Sequence, residues 1–198
     1  MIVNNTKRGI NRAEINDPLV RAVYERQINN HDSQGTCMFI SHRSTDKKEA
    51  LAISNFIQDC GIDVYIDVKD EGLQIATQND DPESIVKHIQ KGLSLSTHVL
   101  ALISENTRLS WWVPYEIGYG AKGNKTIASM LLANKEVEGF PDYLKIEKEL
   151  CSANDFVAYV MEVRKSANPY GNLFENNNVK LPDISAVKCY IKEVKKQN

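Results

Sequence analysis

The chain has 198 residues, a formal net charge of −2, 42% hydrophobic and 25% charged residues, enough for one good-sized domain with extensions or at most two small ones. The near-neutral charge supplies no field to attract nucleic acid or acidic lipid, and no nucleic-acid motif is present. No apolar run approaches the roughly 20 residues of a membrane span, and the polar N-terminus lacks a signal-type apolar core, so the expectation is a soluble cytoplasmic protein.

In chain order, residues 1–16 are polar and read as loose at the start. Asp17-Pro18 places a capping residue before a proline at the first helical position, and Val20, Val23, Tyr24 and Gln27 share a face, so a helix is predicted over 18–29. A polar linker follows to Gly35, and Thr36–Ser41 is an apolar strand. Thr45 or Asp46 is expected to cap a helix over 47–60 with Ala50, Ile53, Ile57 and Cys60 as its buried stripe and Gly61 just past its end. Residues 62–67 read as the second strand. Val68–Asp81 reads as one long polar loop, and the acids Asp67, Asp70, Glu71, Asp80 and Asp81 read as a solvated acidic stretch rather than a cation site. Asp81-Pro82-Glu83 then opens a helix lined by Ile85, Ile89 and Leu93.

A third strand is predicted over 98–103. The loop 104–110 leads into a helix that runs to about Lys122, Gly123-Asn124 is a turn, and 125–132 is the fourth strand. The pattern from 133 to 153 is weak, with a turn at 141–144 and a fifth strand expected near Leu150-Cys151. Asn154 is expected to cap a helix carrying Phe156, Val157, Val160 and Met161; 168–172 and 176–178 read as loops; and a last helix over 182–196 would align Ile184, Val187, Ile191 and Val194. The four cysteines form no CxxC pair and the four histidines no zinc pattern, so no metal site is expected; Cys37 and Cys60 fall in apolar patterns and are expected as buried thiols.

Strands alternating with helices imply an α/β, flavodoxin-like three-layer fold with a parallel, five-stranded sheet of order 2-1-3-4-5, plus extra N- and C-terminal helices. The main domain is placed at 36–166, between an N-terminal extension (1–35) and a C-terminal one (167–198). In such a sheet ligands bind outside the carboxyl ends of strands one and three, where the order reverses. That brings the loop 42–46 together with the loop 104–110, which feeds Trp112 and Glu116, four residues apart on one helix face. From these residues alone two readings stand: a sugar or nucleotide site built on Glu116, or core tryptophans beside a glutamate that only complements the helix dipole. Gly118-x-Gly120-x-x-Gly123 matches a dinucleotide fingerprint in letters but falls inside a helix and before a strand, so it is discounted; Gly118 and Gly120 are expected to let this helix lie close to the sheet.

Phe39-Ile40-Ser41-His42-Arg43-Ser44-Thr45-Asp46-Lys47, Gly61–Asp67, Leu102-Ile103-Ser104 and Ser110-Trp111-Trp112-Val113-Pro114-Tyr115-Glu116-Ile117 together resemble a Toll/interleukin-receptor (TIR) domain over about 36–166. The resemblance implies cleavage of the N-glycosidic bond of NAD, with NAD as substrate and no separate cofactor, and Glu116 as the catalytic carboxylate. It places Trp112 at the pocket wall, His42, Arg43 and Ser44 on the ribose and phosphate side, and Ser104 beside the site or simply at the strand end. The loop 68–81 would mediate self-association. Standalone proteins of this kind resemble the signal-producing half of the Thoeris anti-phage system, whose cyclic ADP-ribose product is read by a separate effector. A non-catalytic TIR interaction module is the alternative, and a nucleoside deoxyribosyltransferase-like N-glycosidase a weaker third reading. The departures from the family pattern are the length of loop 68–81, the flanking helices, and Pro114, which threatens the helical spacing of Trp112 and Glu116. A position near a helix N-terminus is expected to keep Glu116 ionised.

Overall fold

The computed structural model describes residues 8–29, 35–133, 137, 139–167 and 182–194. Five strands, β1 (Cys37–Ser41), β2 (Asp63–Tyr65), β3 (His98–Ile103), β4 (Thr126–Leu131) and β5 (Lys148–Leu150), form one parallel sheet of order β2-β1-β3-β4-β5. The expected topology is thus present, fifth strand included. Side chains alternate across the sheet, and both faces are covered. Met38, Ile40, Leu100, Leu102 and Met130 pack toward α2 (Lys47–Asp59) and α6 (Ala153–Ala167), while Phe39, Val99, Ala101 and Ile103 pack toward α4 (Pro82–Ser94) and α5 (Trp112–Lys122). Burial on both faces is why these strands read as continuous apolar runs.

The local signals explain most of the boundaries. Gly61 ends α2 with φ 85°, a backbone position that strains any residue with a Cβ. Asp81 caps α4 by accepting the Ser84 N–H, with Pro82 in the first turn. Ser152, not Asn154, caps α6: its Oγ accepts the Asp155 N–H at 3.0 Å. Gly120 does let α5 approach the sheet, since a Cβ there would lie 3.0 Å from Val99; Gly118 faces open space and has no such role.

Three expectations are corrected. The segment predicted as one polar loop contains α3 (Glu71–Gln78), capped by Asp70, whose carboxylate accepts the Leu73 N–H; Leu73 and Ala76 are its buried residues. Asp67 lies at 27% side-chain exposure and Asp70 at 3%, so neither belongs to a solvated acidic surface. The very start of the chain, read as loose, lies outside the described residues up to residue 7, and from residue 8 onward the segment is anchored. Asn11 bridges Val64, and Arg12 is fully buried, bonded to Asp63 and to the carbonyls of Gly35, Thr36 and Leu95. The predicted helix over 182–196 is reduced to α7 (Ser185–Lys188); beyond it Ile191 pairs antiparallel with Leu132, and the Val194 N–H donates to the Cys151 carbonyl. The helix α1 (Pro18–Asn29) is present. The loops read at 168–172 and 176–178 lie outside the described residues. No helix among the described residues is long and apolar enough to cross a membrane.

Candidate active site

The carboxyl ends of β1 and β3 meet where the strand order reverses, and the side chains there converge on Glu116. α5 starts at Trp112, and the Ser110 Oγ accepts the Val113 N–H at 3.2 Å. Pro114 therefore falls in the first helical turn, where a backbone N–H has no partner to lose, and it does not displace the helix start. Trp112 and Glu116 stay one turn apart, yet their environments differ. Glu116 is 4% exposed, whereas Trp112 is 37% exposed and packs edge-on against Tyr115, their ring centroids 6.2 Å apart. Trp111 is 90% exposed, so neither tryptophan is a core residue.

Glu116 Oε2 accepts the Ser41 hydroxyl at 2.5 Å; Ser41 is the last residue of β1 and is fully buried. Burial pushes the Glu116 carboxyl up to about 8, the nearby Asp67 charge adds to this, and the Ser41 hydrogen bond only partly opposes it. The expectation of an ionised glutamate is therefore corrected. Glu116 is the fifth residue of α5, past the free N–H groups of the first turn, and the cost of desolvation outweighs the dipole.

Each remaining candidate has a definite place. His42 is buried; its Nδ1 is 3.2 Å from the Ile40 carbonyl and its Nε2 3.5 Å from Asp67 Oδ1, so it faces Asp67 rather than an open pocket. Arg43 reaches across to the second loop, Nη1 donating to the Leu109 carbonyl at 2.9 Å. Ser44 is exposed at the start of the short turn Ser44–Asp46 and makes no hydrogen bond with Glu116 among the described residues. Ser104 is fully buried and donates to Asp46 at 2.5 Å, while Asn106 donates to the other oxygen of the same carboxylate at 3.0 Å. Arg43, Asp46, Ser104 and Asn106 thus tie the loop after β1 to the loop after β3. Of the candidates only Glu116 and His42 enter the buried polar cluster.

Two members of that cluster were not singled out from sequence. Ser41 carried a signal, since it ends an apolar strand at the switch point. Asp67 was grouped with Asp70, Glu71, Asp80 and Asp81 as a solvated acidic stretch, and nothing in the sequence set it apart from them. Among the described residues no group of three or more His, Cys, Asp or Glu side chains can hold a metal ion. A cavity of about 1140 Å³ opens alongside, lined by Thr107, Arg108, Pro114, Phe140 and Tyr143 among others, but Glu116 does not line it.

The parallel sheet of order β2-β1-β3-β4-β5 with helices on both faces defines a flavodoxin-like α/β fold, and Glu116 lies at the edge where its strand order reverses. The family model described as TIR domain matches residues 38–157, well over half of the chain. The protein belongs to the TIR domain family. It is similar to a probable 3′ cyclic ADP-D-ribose synthase, ThsB′, of Bacillus cereus (strain MSX-D12): 25% identical over 122 residues, which cover 60% of this chain and 62% of that protein. The chain thus spans less than two thirds of this relative.

Proposed function

We propose that this TIR protein consumes NAD, breaking the bond between nicotinamide and ribose, with Glu116 as the catalytic carboxylate. The observation that carries the reading is a buried glutamate at the switch point of a TIR domain, with Ser41 and Asp67 for neighbours. Nicotinamide in NAD is already a cationic leaving group, so no general acid is required. The electron pair of the glycosidic bond departs with the pyridine nitrogen and leaves a ribosyl oxocarbenium-like centre. A Glu116 carboxylate in a water-poor site stabilises that centre far more than it would in water. With Glu116 only 4% exposed, productive binding must uncover it.

Capture of the cation by water gives ADP-ribose; capture by another group of the same substrate gives a cyclised product. The name of the Bacillus cereus relative makes a cyclic ADP-ribose isomer the first product to look for. The proposed role is a signal made in anti-phage defence, as in Thoeris, released in the cytoplasm to a separate effector. NAD is the substrate and no further cofactor takes part, and self-association through the TIR domain accompanies activity.

The test incubates purified protein with NAD beside Glu116→Gln and resolves the products by chromatography and mass spectrometry. Wild type is expected to release nicotinamide together with ADP-ribose or its one-water-lighter cyclic form, and the variant to lose at least about 100-fold in rate. Equal release by both proteins removes Glu116 from the mechanism. No release by either, at concentrations that promote assembly, favours the non-catalytic interaction module.

A further inference from the structure

We propose that Asp67, set level with Ser41 and facing His42, is a positioning residue for Glu116: it places a second carboxylate beside the candidate catalytic one, so that a cationic substrate, and not a neutral one, completes the site. This rests on reading Glu116 as the catalytic carboxylate.

The placement follows from strand register. β1 and β2 pair with Cys37 opposite Asp63, Met38 opposite Val64 and Phe39 opposite Tyr65. Ile66 is still extended, with φ −125° and ψ 124°, so continuing the register by two residues sets Asp67 level with Ser41. Side chains two apart share a face. Phe39 and Tyr65 stack with ring centroids 5.6 Å apart on the face that α5 covers, and Ser41 and Asp67 follow them on that face. Ser41 donates to Glu116. Asp67 is thus the strand neighbour of the residue that holds the candidate catalytic carboxylate.

The polar groups around Asp67 are incompletely paired. Asp67 Oδ1 and His42 Nε2 face each other across 3.5 Å, and both are buried with no hydrogen-bond partner among the described residues. Such groups are costly and persist in native proteins where another role maintains them. The surroundings decide where the negative charge sits. From the β1 end, Ser41 and His42 face the pair; from the β2 end, Asp67. Beyond it, Asp70 pushes Asp67 up and is itself occupied by Tyr65, His88 and Lys91. From β3 and β4 the side chains against α5 are apolar, among them Val99, Ile103 and Leu131. Burial raises the Asp67 carboxyl, but attraction to His42 opposes the rise. Glu116 has only the neutral Ser41 hydroxyl in its favour. Burial works against charge on both carboxyls, and Asp67, which faces an imidazole, is the better placed of the two to carry negative charge. No lysine or arginine side chain is bonded to either carboxylate among the described residues. A positively charged pyridinium riboside supplies the missing charge, whereas its neutral reduced form does not.

The decisive measurement is a carbon-13 carboxyl titration of Glu116 in the ligand-free protein, for wild type, Asp67→Asn and His42→Gln. Removing the Asp67 charge is expected to lower the Glu116 midpoint by roughly one pH unit or more. His42→Gln is expected to move it the same way, because Asp67 then takes up a proton more readily. An unchanged midpoint in both variants overturns the proposal whatever the turnover. The acid limb of nicotinamide release against pH is expected to follow the midpoint downward in Asp67→Asn. A uniform loss of rate with an unmoved limb also overturns it and leaves Asp67 a packing role. If wild type releases no nicotinamide while the midpoint still shifts, the coupling between the carboxylates stands and the NAD reading falls.

Discussion

Replacing Glu116 by glutamine should make the protein more stable at neutral and alkaline pH. Glutamine has nearly the same shape, and its carbonyl still accepts the Ser41 hydroxyl, so the bond at 2.5 Å has an equivalent. What changes is titration. The Glu116 carboxyl rises from an ordinary 4.5 to about 8 in the folded protein. Between those values the folded state binds the proton more tightly than the unfolded chain does, so wild-type stability falls as pH rises. The slope approaches about 1.4 kcal/mol per pH unit for one proton. The contribution is fully present below 4.5 and fully lost above the folded value. Glutamine has no such slope, and groups not coupled to Glu116 cancel in the comparison. Urea unfolding by linear extrapolation, at intervals from pH 5 to 9, should show the difference between variant and wild type growing by at least about 2 kcal/mol, a large part of the stability of a domain. A difference that stays flat with pH, or a variant less stable throughout, refutes the argument that burial governs this carboxylate. A stabilised yet inactive variant is the signature of a site held at the expense of stability.

Arg12→Ala should cost about 3–5 kcal/mol in the same unfolding assay, because it strands Asp63 and leaves the carbonyls of Gly35, Thr36 and Leu95 without their donor; a loss below about 1 kcal/mol would show that the N-terminal segment contributes little. Gly118→Ala should stabilise by about 0.5–1 kcal/mol, since the position lies inside α5, faces open space and needs no special backbone; thermal melting reads the gain. Cys37 and Cys60, both buried with thiols pushed by burial up to about 11, should resist a thiol reagent in the native protein while exposed Cys189 reacts, and timed mass spectrometry of the labelled chain checks it.

The elements that sequence reasoning located are those whose signals are local or repeated. β1, β3 and β4 are buried on both faces and read as apolar runs; α4 announces itself by Asp81-Pro82-Glu83 and α2 by its stripe and Gly61. The misreadings arise where a distant partner decides. α3 has eight residues, two of them buried, and holds Gly72, so its stripe is too short to register. Ile184, Val187, Ile191 and Val194 have helical spacing, but pairing of Ile191 with Leu132 takes the second half of that segment out of the helix. Nothing in the polar segment 1–16 marked Arg12 for burial, because the groups that bury it lie as far off as Asp63 and Leu95.

The candidate site divides along the same line. Glu116 and the two loops were legible because strand order alone brings them to one edge. The upward push on the Glu116 carboxyl was not legible, since it depends on how deeply α5 sets the side chain and on Asp67, which is far away in the chain and level with Ser41 only through the pairing of β1 with β2. A helix-dipole argument uses position along one element and predicts an anion; the environment reverses it, because desolvation at 4% exposure is the larger effect. The charge state of this carboxylate is therefore a property of three elements, β1, α5 and the end of β2, and a substitution at any of them should be read first for what it does to the proton on Glu116.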